Sequence, residues 1–231
     1  AEVIDKTVNV DRLLELCTVE FSGEQTENVV CFGNRKIAIA RDEAFNFMYR
    51  ENVEALKRAG EVVFFSPLRD KSLPEADMVY FPGGYPELYL PELAANEGMR
   101  QSVRKYCENG GRVLAECGGM MYLCDTITSD DGKVYPMAGV LKQGATMEQM
   151  KLKLGYREVR VNSQRIRGHE FHYSRILPAN EKIPVIGTIY NAKDMVVDTP
   201  VYTYKNVLAS YIHFYWGECG MDHFLMLMSQ K

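Results

Sequence analysis

Ala115-Glu116-Cys117-Gly118-Gly119-Met120-Met121-Tyr122-Leu123, preceded by Gly111-Arg112-Val113-Leu114, is the stretch from which the fold is read. Gly111 to Ala115 predicts a buried strand and Met120 to Cys124 the opening of a helix, so Cys117 falls on the bend between them. Gly118 and Gly119 tolerate the strained backbone of a sharp elbow, and a helix N-terminus favours a thiolate. A free N–H at Gly118 would serve an oxyanion. Cys117 is therefore a candidate nucleophile. The competing reading is a buried structural thiol in a glycine turn, since free cysteine is among the most buried residue types; this segment alone leaves both open.

Upstream, the strand-then-helix alternation repeats. Lys36-Ile37-Ala38-Ile39-Ala40 predicts a buried strand, and Asn46 to Ala59 a helix with Tyr49, Val53 and Leu56 on one face and Gly60 at its end. Val62 to Phe65 is the second strand, and Met78 to Phe81 the third, ending in Pro82-Gly83-Gly84. Met99, Val103, Tyr106 and Cys107 mark a helix stopped by Asn109-Gly110, and Arg112 to Ala115 is the fourth strand. This order predicts an α/β fold, a mostly parallel sheet with helices on both faces, whose ligands bind outside the carboxyl ends of the strands. Gly83-Gly84 and Cys117 both lie at such ends.

Beyond about Tyr135 the pattern changes to short strand-like runs, among them Lys151 to Val161, Ile186 to Tyr190 and Val207 to Ile212, which add β elements to the C-terminal half. Met221 to Met228 predicts a closing helix whose methionines are core. At the other end, Asn9 to Cys17 reads as a short amphipathic helix capped by Asn9 or Asp11, and Phe21 to Asn34 as a linker. Residues 1–34 are accordingly expected to be the tail and linker of another unit, and 35–231 the main domain. The start at Ala1 suggests a domain cut from a longer polypeptide.

Composition narrows the function classes. The 231 residues are 46% hydrophobic and 25% charged, as in an ordinary globular protein, and the formal charge of -4 provides no basic field for nucleic acid. No apolar run reaches the roughly 18 residues of a membrane span, and no signal peptide opens the chain. Neither nucleic acid nor a membrane is expected as a partner. The six cysteines lack the paired spacings of a zinc site or the density of a disulfide scaffold, which fits a reducing cytoplasm.

A cysteine nucleophile needs a base that takes its proton and returns it to a leaving amine. His213 follows the apolar run Val207 to Ile212 and is expected to emerge at a strand's carboxyl end on the same rim as Cys117. His223, beside Phe224, reads as a packed or surface histidine. His169 and His172 have metal-like spacing, but three residues apart on a strand they face opposite sides and cannot share an ion. They and Glu170 are read as polar recognition, interface or structural groups. The turn Pro82-Gly83-Gly84-Tyr85-Pro86-Glu87 offers a second oxyanion N–H from another strand end, with Tyr85 as a further substrate or interface candidate; an ordinary glycine turn is the alternative. No G-x-x-x-x-G-K-[ST] phosphate loop occurs.

Four motifs together resemble one family: Phe81-Pro82-Gly83-Gly84-Tyr85-Pro86-Glu87-Leu88-Tyr89, the Cys117 stretch, Gly168-His169-Glu170-Phe171-His172-Tyr173-Ser174 and Ala209-Ser210-Tyr211-Ile212-His213. Their order and content resemble the class I glutamine amidotransferase domain of cobyrinic acid a,c-diamide synthase, from about Lys36 to the C-terminus. The resemblance implies a flavodoxin-like fold, attack by Cys117 on the glutamine side-chain amide, His213 as base and then acid, and Gly84 and Gly118 holding the oxyanion. It implies no cofactor in this domain. An N-terminal synthetase domain, of which Ala1 to about Phe21 resembles the final helix and tail, would carry ATP and Mg²⁺ and amidate a corrin precursor. A second copy of the chain is a further candidate partner.

One departure stands out. Class I amidotransferases often carry His-x-Glu, whereas His213 is followed by Phe214-Tyr215. The group orienting His213 is absent, a carboxylate from elsewhere, or a backbone carbonyl; Glu218 and Asp222 are guesses. The alternatives to the diamide synthase are cobyric acid synthase, a related tetrapyrrole or cell-wall amidating synthase, and a noncatalytic module of the same fold. A cysteine protease would need a peptide cleft that the sequence does not indicate.

Overall fold

Ile37 and Ile39 enter one hydrophobic core and Ala38 and Ala40 another, so the strand Lys36–Ala40 (β1) is buried on both faces. That two-sided burial is why the run is apolar throughout. Met78 and Tyr80 divide from Val79 and Phe81 in the same way on β3 (Met78–Phe81), as Leu114 does from Val113 and Ala115 on β4 (Arg112–Glu116). The computed structural model describes residues 6–18, 35–179 and 182–217.

With β2 (Glu61–Phe65) and β14 (Val207–Ser210), these strands run parallel in the order β14-β4-β3-β1-β2. Antiparallel β13 (Val201–Tyr204) and β11 (Val185–Ile186) extend the β14 edge, completing a seven-stranded sheet. One face packs against α3 (Leu90–Ala95), α4 (Glu97–Glu108) and α5 (Gly118–Leu123). On that side lies a four-stranded sheet of β10 (Arg175–Ile176), β7 (Leu141–Thr146), β5 (Cys124–Thr128) and β6 (Val134–Pro136). The other face is covered by α2 (Arg50–Ala59), through Leu56 and Ala59, and by a second four-stranded sheet. Its strands are β12 (Thr188–Asn191), β8 (Lys153–Val161), β9 (Gln164–His172) and β15 (Ile212–Phe214), all antiparallel.

The α/β core with helices on both faces is as expected, with three local differences. The helix read from Asn46 begins at Arg50, because the Phe47 N–H donates to the Gly83 carbonyl at 3.0 Å and holds the preceding residues in a loop. The helix after Cys117 ends at Leu123, and Cys124 already belongs to β5. The run Val207 to Ile212 is two strands: β14 ends at Ser210, Tyr211 bends, and β15 crosses to the other sheet.

The N-terminal helix, α1, spans Val10–Cys17; Asn9 is its cap, its side chain accepting from the Arg12 N–H at 2.9 Å. None of its residues is buried. The linker expected over Phe21 to Asn34, the closing helix over Met221 to Met228, and Glu218, Asp222 and His223 lie outside the described residues. Among the described residues, no helix is long and apolar enough to cross a membrane, and Cys17, Cys107, Cys117 and Cys124 are free thiols.

Candidate functional site

Cys117 is held from both sides of the elbow. Its N–H donates to the Ser210 carbonyl at 2.7 Å, extending the β4–β14 pairing, and its own carbonyl accepts from the Met121 N–H at 3.0 Å as α5 begins. Between these ties the residue adopts φ 48° and ψ -108°, a conformation costing a side-chain-bearing residue about 1–3 kcal/mol. The small residues after it allow a close approach: a Cβ on Gly118 would lie 2.7 Å from Pro86 Cδ and 3.0 Å from the Gly84 carbonyl oxygen. The Gly119 N–H donates to the Pro82 carbonyl at 3.1 Å.

The turn after β3 is thereby locked against the elbow. Its other side is tied to the loop after β1, where the Tyr85 N–H donates to the Ala44 carbonyl at 3.0 Å. Among the described residues, no backbone carbonyl takes the N–H of Gly84 or of Gly118. The two residues sit on adjoining segments, a Cβ on Gly118 lying 3.2 Å from the Gly84 nitrogen. Tyr85 itself is 47% exposed at the rim.

His213 reaches the same place by a route the sequence did not reveal. It occupies the middle of β15, paired in register with His169 of β9, and does not terminate a strand of the main sheet as expected. Its ring lies so close to Gly83 that a Cβ there would be 2.2 Å from His213 Cε1. The His169 ring stacks on it with centroids 4.8 Å apart, and Phe47 meets it edge-on at 4.6 Å. His169 is fixed in turn by a 2.6 Å hydrogen bond between Nδ1 and the Tyr49 hydroxyl. Neighbouring Phe171 brings its carbonyl within 3.8 Å of Cys117 Sγ.

Glu170 and His172 point to the opposite face of β9 and are buried, so neither presents a surface to a partner. Glu170 Oε2 accepts from Arg157 Nε at 2.7 Å and from the Thr199 hydroxyl at 2.8 Å, while Oε1 lies 2.8 Å from His172 Nε2 and 3.4 Å from Lys153 Nζ. His172 Nδ1 faces the Ser174 carbonyl at 2.8 Å, and the ring stacks on Tyr211 with centroids 3.5 Å apart. The network braces the strand that carries His169 and the Phe171 carbonyl. As the alternation of a strand requires, the two imidazoles diverge. Among the described residues, no group of three or more His, Cys, Asp or Glu side chains is placed to hold a metal ion.

Electrostatics set the resting protonation. Burial, reinforced by the Glu87 carboxyl, pushes the Cys117 thiol up to about 12, although the Gly118 N–H pulls the other way. The thiolate expected at a helix N-terminus is therefore not the resting form: six residues of helix provide too little field to offset desolvation. Burial likewise lowers His213 to about 3, helped by His169 and His172. The site rests as a neutral thiol and a neutral imidazole.

Sequence reasoning missed Glu116. This fully buried carboxyl precedes the nucleophile candidate, and its Oε2 lies 4.0 Å from His213 Nδ1, itself buried and without a hydrogen-bond partner. Oε2 accepts from the Tyr80 hydroxyl at 2.8 Å and Oε1 from the Phe214 N–H at 3.3 Å. Burial raises its pKa to about 8. The available signal was a charged residue at the end of an otherwise apolar, two-faced strand. A separate cavity of about 370 Å³ opens beside Tyr156, Arg160, Arg167, Asn191 and Asp194, and Cys117 does not line it.

A strained cysteine elbow, a glycine turn with a free N–H and a histidine packed on that turn thus converge at one rim. Residues 36–220 match the family model described as the CobB/CobQ-like glutamine amidotransferase domain. The chain belongs to this family.

The amidotransferase domain is similar to cobyrinate a,c-diamide synthase of Salmonella typhimurium, with 34% identity over 232 residues, covering 94% of this chain and 50% of that protein. It is similar also to the cobyrinate a,c-diamide synthase of Picrophilus torridus, with 37% identity covering 94% and 49%, and to the hydrogenobyrinate a,c-diamide synthase of Pseudomonas aeruginosa, with 39% identity covering 78% and 41%. The chain spans about half the length, or less, of these curated relatives. Among solved structures, PurLQS from Thermotoga maritima shares the fold with a TM-score of 0.54 at 16% identity, covering 83% of this chain and 92% of that one. A crystal structure of a glutamine amidotransferase shares it with a TM-score of 0.53 at 23% identity, covering 84% and 99%.

Proposed function

We propose that this amidotransferase domain is the glutamine-hydrolysing half of an ATP-dependent a,c-diamide synthase acting on a corrin ring precursor. Cys117 gives its proton to His213 and its sulfur attacks the side-chain amide carbon of glutamine. The oxyanion is held by the Gly84 and Gly118 N–H groups. His213 returns the proton to the departing nitrogen, the C–N bond breaks, and ammonia leaves a glutamyl thioester on Cys117. Water then cleaves the thioester to glutamate, with His213 again moving the proton.

The observation that carries the chemistry is the Cys117 elbow, with its φ of 48°, set against two N–H groups that no backbone carbonyl among the described residues takes. The imidazole is unprotonated and so open to a proton, and a thiol pushed up to about 12 reacts only when a base removes its proton in the same step. The acceptor rests on the relatives' names, cobyrinate and hydrogenobyrinate a,c-diamide synthase. In this reading, ATP and Mg²⁺ act in a synthetase half, no residue of this domain is assigned to them, and the ammonia passes to that half. Association of two copies is a further part of the reading, measured by light scattering.

The test is Cys117→Ser in the complete protein, assayed with corrin precursor, ATP and Mg²⁺. Glutamine-dependent amidation is expected to vanish while ammonia-dependent amidation persists. Loss of both would make Cys117 a structural residue, and amidation of a different acceptor would overturn the diamide assignment.

A further inference from the structure

We propose that Glu116 is the positioning residue of the histidine base: a carboxyl oxygen of Glu116 accepts the Nδ1–H of His213, fixing the tautomer that leaves Nε2 free to take the Cys117 proton. The proposal rests on the glutaminase reading above and adds the group that orients the base.

The geometry supplies the argument. His213 Nδ1 is wholly buried and makes no hydrogen bond, and Glu116 Oε2, 4.0 Å away, is the carboxylate oxygen within ion-pair reach of it among the described residues. A buried nitrogen without a partner costs stability, and Oε2 lies about 1 Å beyond ordinary hydrogen-bond distance from it. Gly83, the His169 stack and the edge of Phe47 hold the ring facing that oxygen. Glu116 is itself held in place by the Tyr80 hydroxyl at 2.8 Å and the Phe214 N–H at 3.3 Å. It also belongs to the residue before Cys117, so the backbone that aims the thiol aims the carboxylate.

A purely structural role would not require an acceptor facing Nδ1. Glutamine at position 116 can accept from the Phe214 N–H through its oxygen and donate to the Tyr80 oxygen through its amide, retaining both contacts. It would then present N–H groups to His213 Nδ1, favouring the tautomer in which Nε2 carries the proton and cannot act as base. In the resting site both partners are neutral. When the thiol proton moves to Nε2, the new imidazolium keeps its Nδ1–H on the Glu116 carboxyl oxygen, a contact that strengthens as the ring gains charge.

The groups that act electrostatically on this pair are Tyr80 from β3, Tyr49 from the segment before α2, the stacked His169 and, through the strand, His172 from β9, and the Cys117 thiol. None of these is a lysine, arginine or second carboxyl adjacent to His213, so an ionisation shared by His213 and Glu116 should be readable as a property of the pair.

The experiment compares wild type and Glu116→Gln in the complete protein. The expected result is an unchanged melting temperature, a fall in kcat for glutamine hydrolysis of roughly 10²-fold or more, KM within about threefold of wild type, and loss from the kcat/KM pH profile of the ionisation belonging to the pair. A folded variant with wild-type kcat and the full pH profile overturns the proposal. A second measurement does not depend on the variant folding: ¹⁵N-histidine spectra of wild type carrying a glutamine-derived chloroketone on Cys117. They should show a downfield Nδ1 proton that disappears in His213→Gln, and absence of that proton in wild type overturns the proposal. If the chloroketone does not label Cys117, the glutaminase reading falls and this inference with it; if it labels normally and Glu116→Gln behaves as wild type, this inference alone falls.

Discussion

Gly83 and His213 are in contact so close that no side chain fits between them: a Cβ at position 83 would lie 2.2 Å from His213 Cε1 and 2.9 Å from Nδ1. The backbone of the turn after β3 is therefore a wall of the histidine's pocket as well as a source of N–H groups. Gly83→Ala must displace the imidazole or the turn. Because misplacement by about 1 Å can cost roughly 10²-fold, glutaminase kcat should fall by about that factor. Steady-state kinetics, with circular dichroism to verify the fold, check it.

A buried thiol pushed up to about 12 should react poorly with reagents that do not recruit the site's own base. Iodoacetamide at neutral pH is expected to modify Cys17, exposed on α1, well before Cys117. A glutamine-derived chloroketone should reverse that order, because it occupies the glutamine position beside His213. Peptide mapping after timed labelling reads both, and fast iodoacetamide capture of Cys117 would contradict the protonated resting thiol.

Burial alone would raise the Glu170 carboxyl, but hydrogen bonds from His172 and Thr199 and the charges of Lys153 and Arg157 overcome it and hold the pKa at about 2, against an ordinary 4.5. A depressed carboxyl contributes stability that is complete above about pH 4.5 and is lost as pH falls towards about 2. Glu170→Ala leaves the buried Arg157 guanidinium without its counter-charge and should cost about 3–5 kcal/mol at pH 7. Urea melts of wild type and variant should converge across that acid window; a difference constant with pH would remove the ionic explanation.

Tyr49 acts on the site through His169. Removing its hydroxyl in Tyr49→Phe deletes the 2.6 Å bond to His169 Nδ1 while leaving the aromatic contact with Phe47. One hydrogen bond of about 0.5–1.5 kcal/mol corresponds to a kcat reduction of roughly 2- to 10-fold through a looser stack on His213. Kinetics at fixed pH test this, and unchanged kcat would show that the stack does not steady the base.

Much of the fold was legible because its signals are local. Ile37 to Ala40, Met78 to Phe81 and Val113 to Ala115 are apolar on both faces, and the glycines after Phe81 and Cys117 mark the two strand ends where the chain turns sharply. The helix boundary at Asn46 was misread because a single long-range hydrogen bond, from Phe47 to Gly83, keeps that segment out of the helix. Glu170 and His172 read as polar recognition, interface or structural groups because their polarity is visible in sequence, whereas their buried partners, Arg157 and Thr199 for Glu170 and the Ser174 carbonyl for His172, are not.

The sequence by itself determined that a cysteine would stand at a strand-to-helix elbow, since strand period, helix period and the need for small residues at a tight bend are all written within a dozen neighbours. Only the tertiary structure decided what faces that cysteine. His213 comes to the rim because Tyr211 diverts the chain from the parallel sheet to pair with β9, and Glu116 meets it because β4 ends with that side chain turned towards β15. Such pairings depend on hydrogen bonds between segments about 40 to 100 residues apart, for which no local pattern of residues provides a signal.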